Sequence, residues 1–149
     1  MELYRLGACN FSENLSGEGA KIYGGRWNSE GVPAVYFASS RALAVLEVLV
    51  HLPTGLLPNN FCMARFKVDD NFTEFKSDEL PDKWEIYPFL KQTQLMGNQF
   101  FKRNESLLLK VPSAIVSGEF NYVANPLHSD IKKIKFLDKV KFSFDDRLM

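Results

Sequence analysis

A single acidic residue interrupts the run Arg41-Ala-Leu-Ala-Val-Leu-Glu-Val-Leu-Val-His-Leu52. At 3.6 residues per turn almost every face of that run is apolar, which predicts a largely buried helix with Glu47 as its only acid. The residues three and four positions from Glu47 are Leu43, Ala44, Val50 and His51. Such a carboxylate lies either on a narrow exposed seam or desolvated beside a specific partner. Stripping a buried charge of its partner costs about 3–5 kcal/mol, which disfavours an unpaired, ionised Glu47. A second stretch, Tyr23-Gly-Gly-Arg-Trp-Asn28, flanks an arginine with glycines and an aromatic ring. Its planar guanidinium suits a phosphate, with backbone amides assisting and Trp27 as a stacking surface. The plainer alternative is a tight turn in which Arg26 pairs with a carboxylate and Trp27 fills the core. In a third stretch, Lys110-Val-Pro-Ser-Ala-Ile-Val116, Ser113 either hydrogen-bonds a ligand or caps a turn, the commoner task for Ser after Pro.

Several chemistries lack their residues. There is no GxSxG elbow, no GxGxxG fingerprint and no phosphate-loop lysine motif. No pair of carboxylates stands out as a glycosidase site. His51 and His128 lack metal-ligand spacing to Cys9 or Cys62, so no metal is expected. The two cysteines, far apart in sequence, read as reduced thiols.

The elements that must position these residues follow from periodicity and punctuation. Ser16 to Asn28 reads as a glycine-rich turn region, with four of the nine glycines between Gly17 and Arg26. Ala34–Ala38 reads as a buried strand, and Ser39 or Ser40 caps a helix that runs to about Leu52, before Pro53 and Gly55. Phe61–Val68 reads as a strand and Asp69–Lys83 as surface loop. A second helix is expected over Pro88–Ser106, with Phe89, Leu95 or Met96, and Phe100 on one face and Gly97 weakening it. Leu107–Ser113 reads as a buried strand, which Ala114–Val116 either extends or follows with another. Asn125-Pro126 marks a turn, and Ile131–Phe144 carries one or two strands with a solvated lysine face. The expected class is a mixed α+β fold in a single domain, 1–149.

Composition limits the partners. The chain has 149 residues, 46% apolar and 24% charged, with formal net charge zero. Six basic residues face eight acidic ones up to Phe75, and twelve face ten after it. Neither part has the excess of a non-specific nucleic-acid binder. The longest apolar stretch, Ala42–Leu52, is too short to span a bilayer, and no signal region opens the chain. A cytoplasmic protein without membrane contact is expected.

Taken together, the motifs resemble the RES domain, the toxin half of a bacterial toxin–antitoxin system. The resemblance runs through Tyr4-Arg5, Gly19–Asn28, Pro33–Tyr36, Ser40–His51, Val111–Ala114, Asn121-Tyr122, Asn125–His128 and Phe144–Leu148. The segment Leu56–Gln99 resembles little. The resemblance implies an ADP-ribosyltransferase-like fold, with central sheets and flanking helices, that consumes NAD⁺. It places Glu47, Arg26 and Ser113 as catalytic residues, Ser117 being a nearby competitor for the serine. It places Arg5, Tyr36, Trp27 and Asn28 on the NAD⁺, with Arg26 the primary and Arg5 the supporting phosphate contact.

The implied reaction is cleavage of the nicotinamide–ribose bond, with phosphate as acceptor in phosphorolytic members and a protein in others. NAD⁺ is then a substrate, inorganic phosphate a co-substrate, and no tightly bound cofactor is implied. The resemblance further implies a cognate helix-turn-helix (Xre-like) antitoxin, DNA contact only through that complex, and room for a homodimer. Phosphorolysis ranks first, protein mono-ADP-ribosylation second, and a catalytically inactive binding module third.

Overall fold

The computed structural model describes residues 1–149. Its frame is one seven-stranded sheet of β1 (Glu2–Ala8), β2 (Val35–Ala38), β3 (Phe61–Lys67), β4 (Phe72–Glu74), β5 (Leu108–Pro112), β6 (Phe120–Ala124) and β7 (Lys135–Lys141). The spatial order is β4-β5-β6-β2-β1-β3-β7, antiparallel throughout except for the parallel pair β4–β5. Three helices, α1 (Glu18–Tyr23), α2 (Arg41–Leu49) and α3 (Lys91–Arg103), complete a mixed α+β architecture. None of them is long and apolar enough to cross a membrane.

Strand alternation builds two cores on opposite sheet faces. One holds Leu3, Val35, Phe37, Ala64, Phe66, Leu108 and Tyr122, with Phe37 and Phe66 edge-to-face at 5.2 Å. The other face packs Leu109, Val111 and Val123 against Phe100 and Phe101 of α3, together with Trp27. Beside it, Ala38 and Met63 pack against Leu43 and Ala44 of α2. Strands β1 and β2 share the single ladder pair Tyr4↔Ala38, whereas β1 and β3 pair along seven residues.

Several expectations need correction. Cys9 and Cys62 form a disulfide, with Cα atoms 4.8 Å apart, rather than two free thiols. The antiparallel β1–β3 ladder, with Gly7 opposite Cys62 and the Cys9 amide donating to Asn60, brings together residues 53 positions apart in sequence. Helix α2 is capped by Ser40, whose hydroxyl accepts from the Leu43 amide at 3.1 Å, but it ends at Leu49. Only Leu43 and Ala44 of it are buried, and Leu46 and Val50 face solvent, because the sheet covers one side of it alone. The glycine-rich stretch contains α1, between Gly17 and Gly24, both at φ 73°. The expected loop Asp69–Lys83 contributes β4, which β5 recruits as a parallel edge. Residues 114–116 form a turn, β6 follows, and the C-terminal region supplies one strand.

Helix α3 is shorter than expected and starts after Phe89, and Leu95 points to solvent. Its Gly97 is a packing requirement: a Cβ there would lie 1.7 Å from the Trp27 carbonyl oxygen. Through this contact α3 sits directly on the glycine-rich turn.

Candidate active site

Glu47, the seventh residue of α2, reaches the end of β5 and the start of β6. Its Oε1 accepts from Asn121 Nδ2 at 2.6 Å and from the Ser113 hydroxyl at 3.1 Å. The carboxylate is therefore half-buried beside specific partners, the second of the two arrangements its sequence context allowed. Of the two tasks considered for it, Ser113 performs the turn-capping one. While donating to Glu47 it accepts from the Ile115 and Val116 amides, each at 3.1 Å, and so closes the turn after β5. Asn121 lies on β6 opposite Ala38, and its own Oδ1 is buried without a partner.

Arg26 stands close enough to Glu47 to feel its charge. Burial pushes the guanidinium's pKa down, and the neighbouring Glu47, Tyr36 and Glu85 push it back up. Its Nη1 donates to the carbonyls of Trp84 at 2.8 Å and Ile86 at 2.9 Å, while the group lies over the Phe89 ring at 5.0 Å. These contacts fix the guanidinium plane and leave Nε and Nη2 for an incoming anion.

Tyr36, Asn28 and Gly25 support this arginine. The Tyr36 hydroxyl donates to Asn28 Oδ1 at 2.6 Å and accepts from the Trp27 amide at 3.1 Å. Burial pushes that phenol well above its ordinary range, so it stays protonated. Asn28 Nδ2 donates to Ala20 and Val32 carbonyls, each at 2.9 Å. A Cβ on residue 25 would lie 2.7 Å from the Tyr36 hydroxyl, which explains a glycine there. From α3, Gln94 donates to the Gly25 carbonyl and Asn98 holds Ser29, completing a rigid turn.

The structure thus gathers Glu47, Ser113, Arg26 and Tyr36 on one sheet face. Trp27 and Asn28 have other work: Trp27 is 2% exposed and packs on Phe75 and Trp84, and Asn28 is fully enclosed, so neither offers a ligand surface. Arg5 leaves β1 on the Leu3 side, next to Phe37, and donates to the Asn14 carbonyl. It does not join the Glu47 network. Burial pushes its pKa down to about 10, and no carboxylate offsets the cost. Sequence reasoning gave Asn121 no role, because β6 was not recognised as a strand. It also gave no functional role to Trp84–Phe89, which hold Arg26 through the Trp84 and Ile86 carbonyls and the Phe89 ring.

An α+β domain thus holds a carboxylate clamped between a serine and an asparagine, beside a fixed arginine; such a carboxylate can oppose positive charge and such a guanidinium can pair with an anion. The sequence matches the RES domain across residues 2–145, and the chain belongs to that family. Its relatives are named as bacterial toxins. One is the "Prs ADP-ribosylating toxin" of Sphingobium sp., 42% identical over 93% of this chain and 88% of its own length. Another is "Toxin Res" of Photorhabdus laumondii, 40% identical over 100% of this chain and 97% of its own. The fold is that of a solved chain from the M. tuberculosis MbcT–MbcA toxin–antitoxin complex, with TM-score 0.77, 21% identity, and coverage of 95% and 84% of the two chains.

Proposed function

We propose that the protein is the toxin of a toxin–antitoxin pair and acts by cleaving the nicotinamide–ribose bond of NAD⁺, with inorganic phosphate as the favoured acceptor. The observation that carries this reading is the Glu47 carboxylate, held by Ser113 and Asn121 within the field of Arg26. As the bond breaks, its electron pair leaves with nicotinamide and the ribose carbon acquires oxocarbenium character. A preoriented carboxylate opposes that charge without reorganising. Arg26 grips the diphosphate through its free N–H groups, and Tyr36 orients the ribose or the nicotinamide. Arg5, on the other face of β1 beside Phe37, is left out of this grip. A phosphate oxygen then bonds to the ribose carbon. The antitoxin would cover this cleft and carry any DNA contact.

A protein acceptor is the second reading, favoured by the name of the Sphingobium relative. Both reactions break the same bond. Purified protein is incubated with NAD⁺, with and without phosphate, and the products are identified by mass spectrometry. The expected result is nicotinamide plus a phosphorylated ADP-ribose that requires added phosphate, with turnover reduced on the order of 10²-fold or more in Glu47→Gln. An unchanged NAD⁺ pool, or full activity in folded Glu47→Gln, overturns the reading.

A further inference from the structure

The segment after Trp84 builds more of the site than two carbonyls. Tyr87 is 70% exposed, yet its ring is held in place. It meets Phe89 at 5.1 Å with planes 88° apart, and His51 at 5.7 Å; His51 in turn meets Phe89 at 6.2 Å. An exposed aromatic ring fixed by two others keeps flat surface open to a ligand at little entropic cost. This cluster adjoins the catalytic groups from two sides. Phe89 lies beneath the Arg26 guanidinium, and His51 follows Glu47 by four residues, just past the end of α2. The aromatic wall is thus joined through Phe89 to the guanidinium, which itself lies within the field of the Glu47 carboxylate.

NAD⁺ presents matching chemistry: a reacting ribose, a diphosphate next to it and a second flat base attached to the diphosphate. We propose that Tyr87, supported by Phe89 and His51, is the stacking residue for the adenine ring and sets the preference for a dinucleotide; this rests on the NAD⁺-cleaving reading above. Stacking accepts any flat base, so selectivity here is for the presence of the adenosine half rather than for its hydrogen-bonding edge.

The test compares kcat/KM for NAD⁺ with that for nicotinamide mononucleotide, which has the same scissile bond and no adenosine, and measures ADP-ribose binding by calorimetry. In Tyr87→Ala the preference for NAD⁺ falls about tenfold, equivalent to about 1.4 kcal/mol, mainly through KM. Tyr87→Phe restores it to within about twofold, since the ring and not the hydroxyl stacks. Turnover of NAD⁺ with an unaltered preference in Tyr87→Ala overturns the wall while sparing the reaction. Equal losses on both substrates also overturn it, by assigning the ring to nicotinamide. A wild type that cleaves neither substrate, yet binds ADP-ribose about tenfold more tightly than Tyr87→Ala, keeps the wall and overturns the reaction. Absence of both turnover and binding overturns both.

Discussion

At the scale of single residues, Ser113 and Asn121 share one carboxylate oxygen but differ in what else they hold. Ser113 also satisfies two backbone amides. Ser113→Ala is therefore expected to lower both turnover and stability, the latter by about 1–2 kcal/mol in urea denaturation, as amides lose their acceptor. Asn121→Ala removes a donor to Glu47 together with a buried, unpartnered oxygen. Turnover should fall about tenfold while the denaturation midpoint barely moves. Tyr36 contributes a pH dependence. Its folded-state pKa is raised above the ordinary 10.0 by burial, so the folded protein keeps a proton that the unfolded chain releases. That contribution is complete below pH 10 and is lost as pH rises from there through the folded value, by at most about 1.4 kcal/mol per pH unit. Comparing wild type with Tyr36→Phe between pH 8 and 11 checks it, the variant showing the shallower decline.

At the scale of elements, α3 matters because it presses on the turn that carries Arg26. Gly97→Ala places a methyl group into the Trp27 carbonyl, so the helix or the turn must move. The expected destabilisation is about 1–3 kcal/mol or more, with a raised KM for NAD⁺ as Arg26 shifts. An unshifted denaturation midpoint would contradict the contact. The elements themselves were unevenly legible in sequence. Helix α2 announced itself through Ser40 and its apolar run, β3 and β5 through short apolar-rich runs that stop at Asp69-Asp70 and at Pro112. Strand β4, with Phe72-Thr-Glu74 inside a polar stretch, had no such pattern, since its strand character comes from pairing with β5. Helix α1 was hidden by glycines that in fact bracket it, at positive φ on each side.

At the scale of the whole molecule, the Cys9–Cys62 bridge ties the strand that starts the chain to β3 across a 53-residue separation. Closing a loop of that length stabilises by about 4 kcal/mol in the chain-entropy account. Denaturation with and without a thiol reductant should show a loss of that size, absent in a Cys9→Ser, Cys62→Ser protein. The three lysines of β7 lie along an exposed outer strand of the sheet, and Lys139 and Lys141 are tied locally. Lys139, for example, pairs with Glu13 at 2.8 Å. This dispersal of charge accords with the neutral balance of the chain.

The sequence alone determined which residues were available for chemistry. A lone glutamate in an apolar helix, an arginine among glycines and a serine after a strand proline are local patterns, set by side-chain type and spacing; with the other matching segments from Tyr4-Arg5 to Phe144–Leu148 they carry the family resemblance. Only the tertiary structure decided how they are used. The pairing of β2 with β6, non-adjacent in sequence, set Asn121 against Glu47, while the face of β1 sent Arg5 away from that network. Burial consigned Trp27 and Asn28 to support, and the backbone of Trp84–Ile86 oriented Arg26. Contacts between residues far apart in the chain leave no periodic trace in it, so such assignments exist only once the sheet has formed.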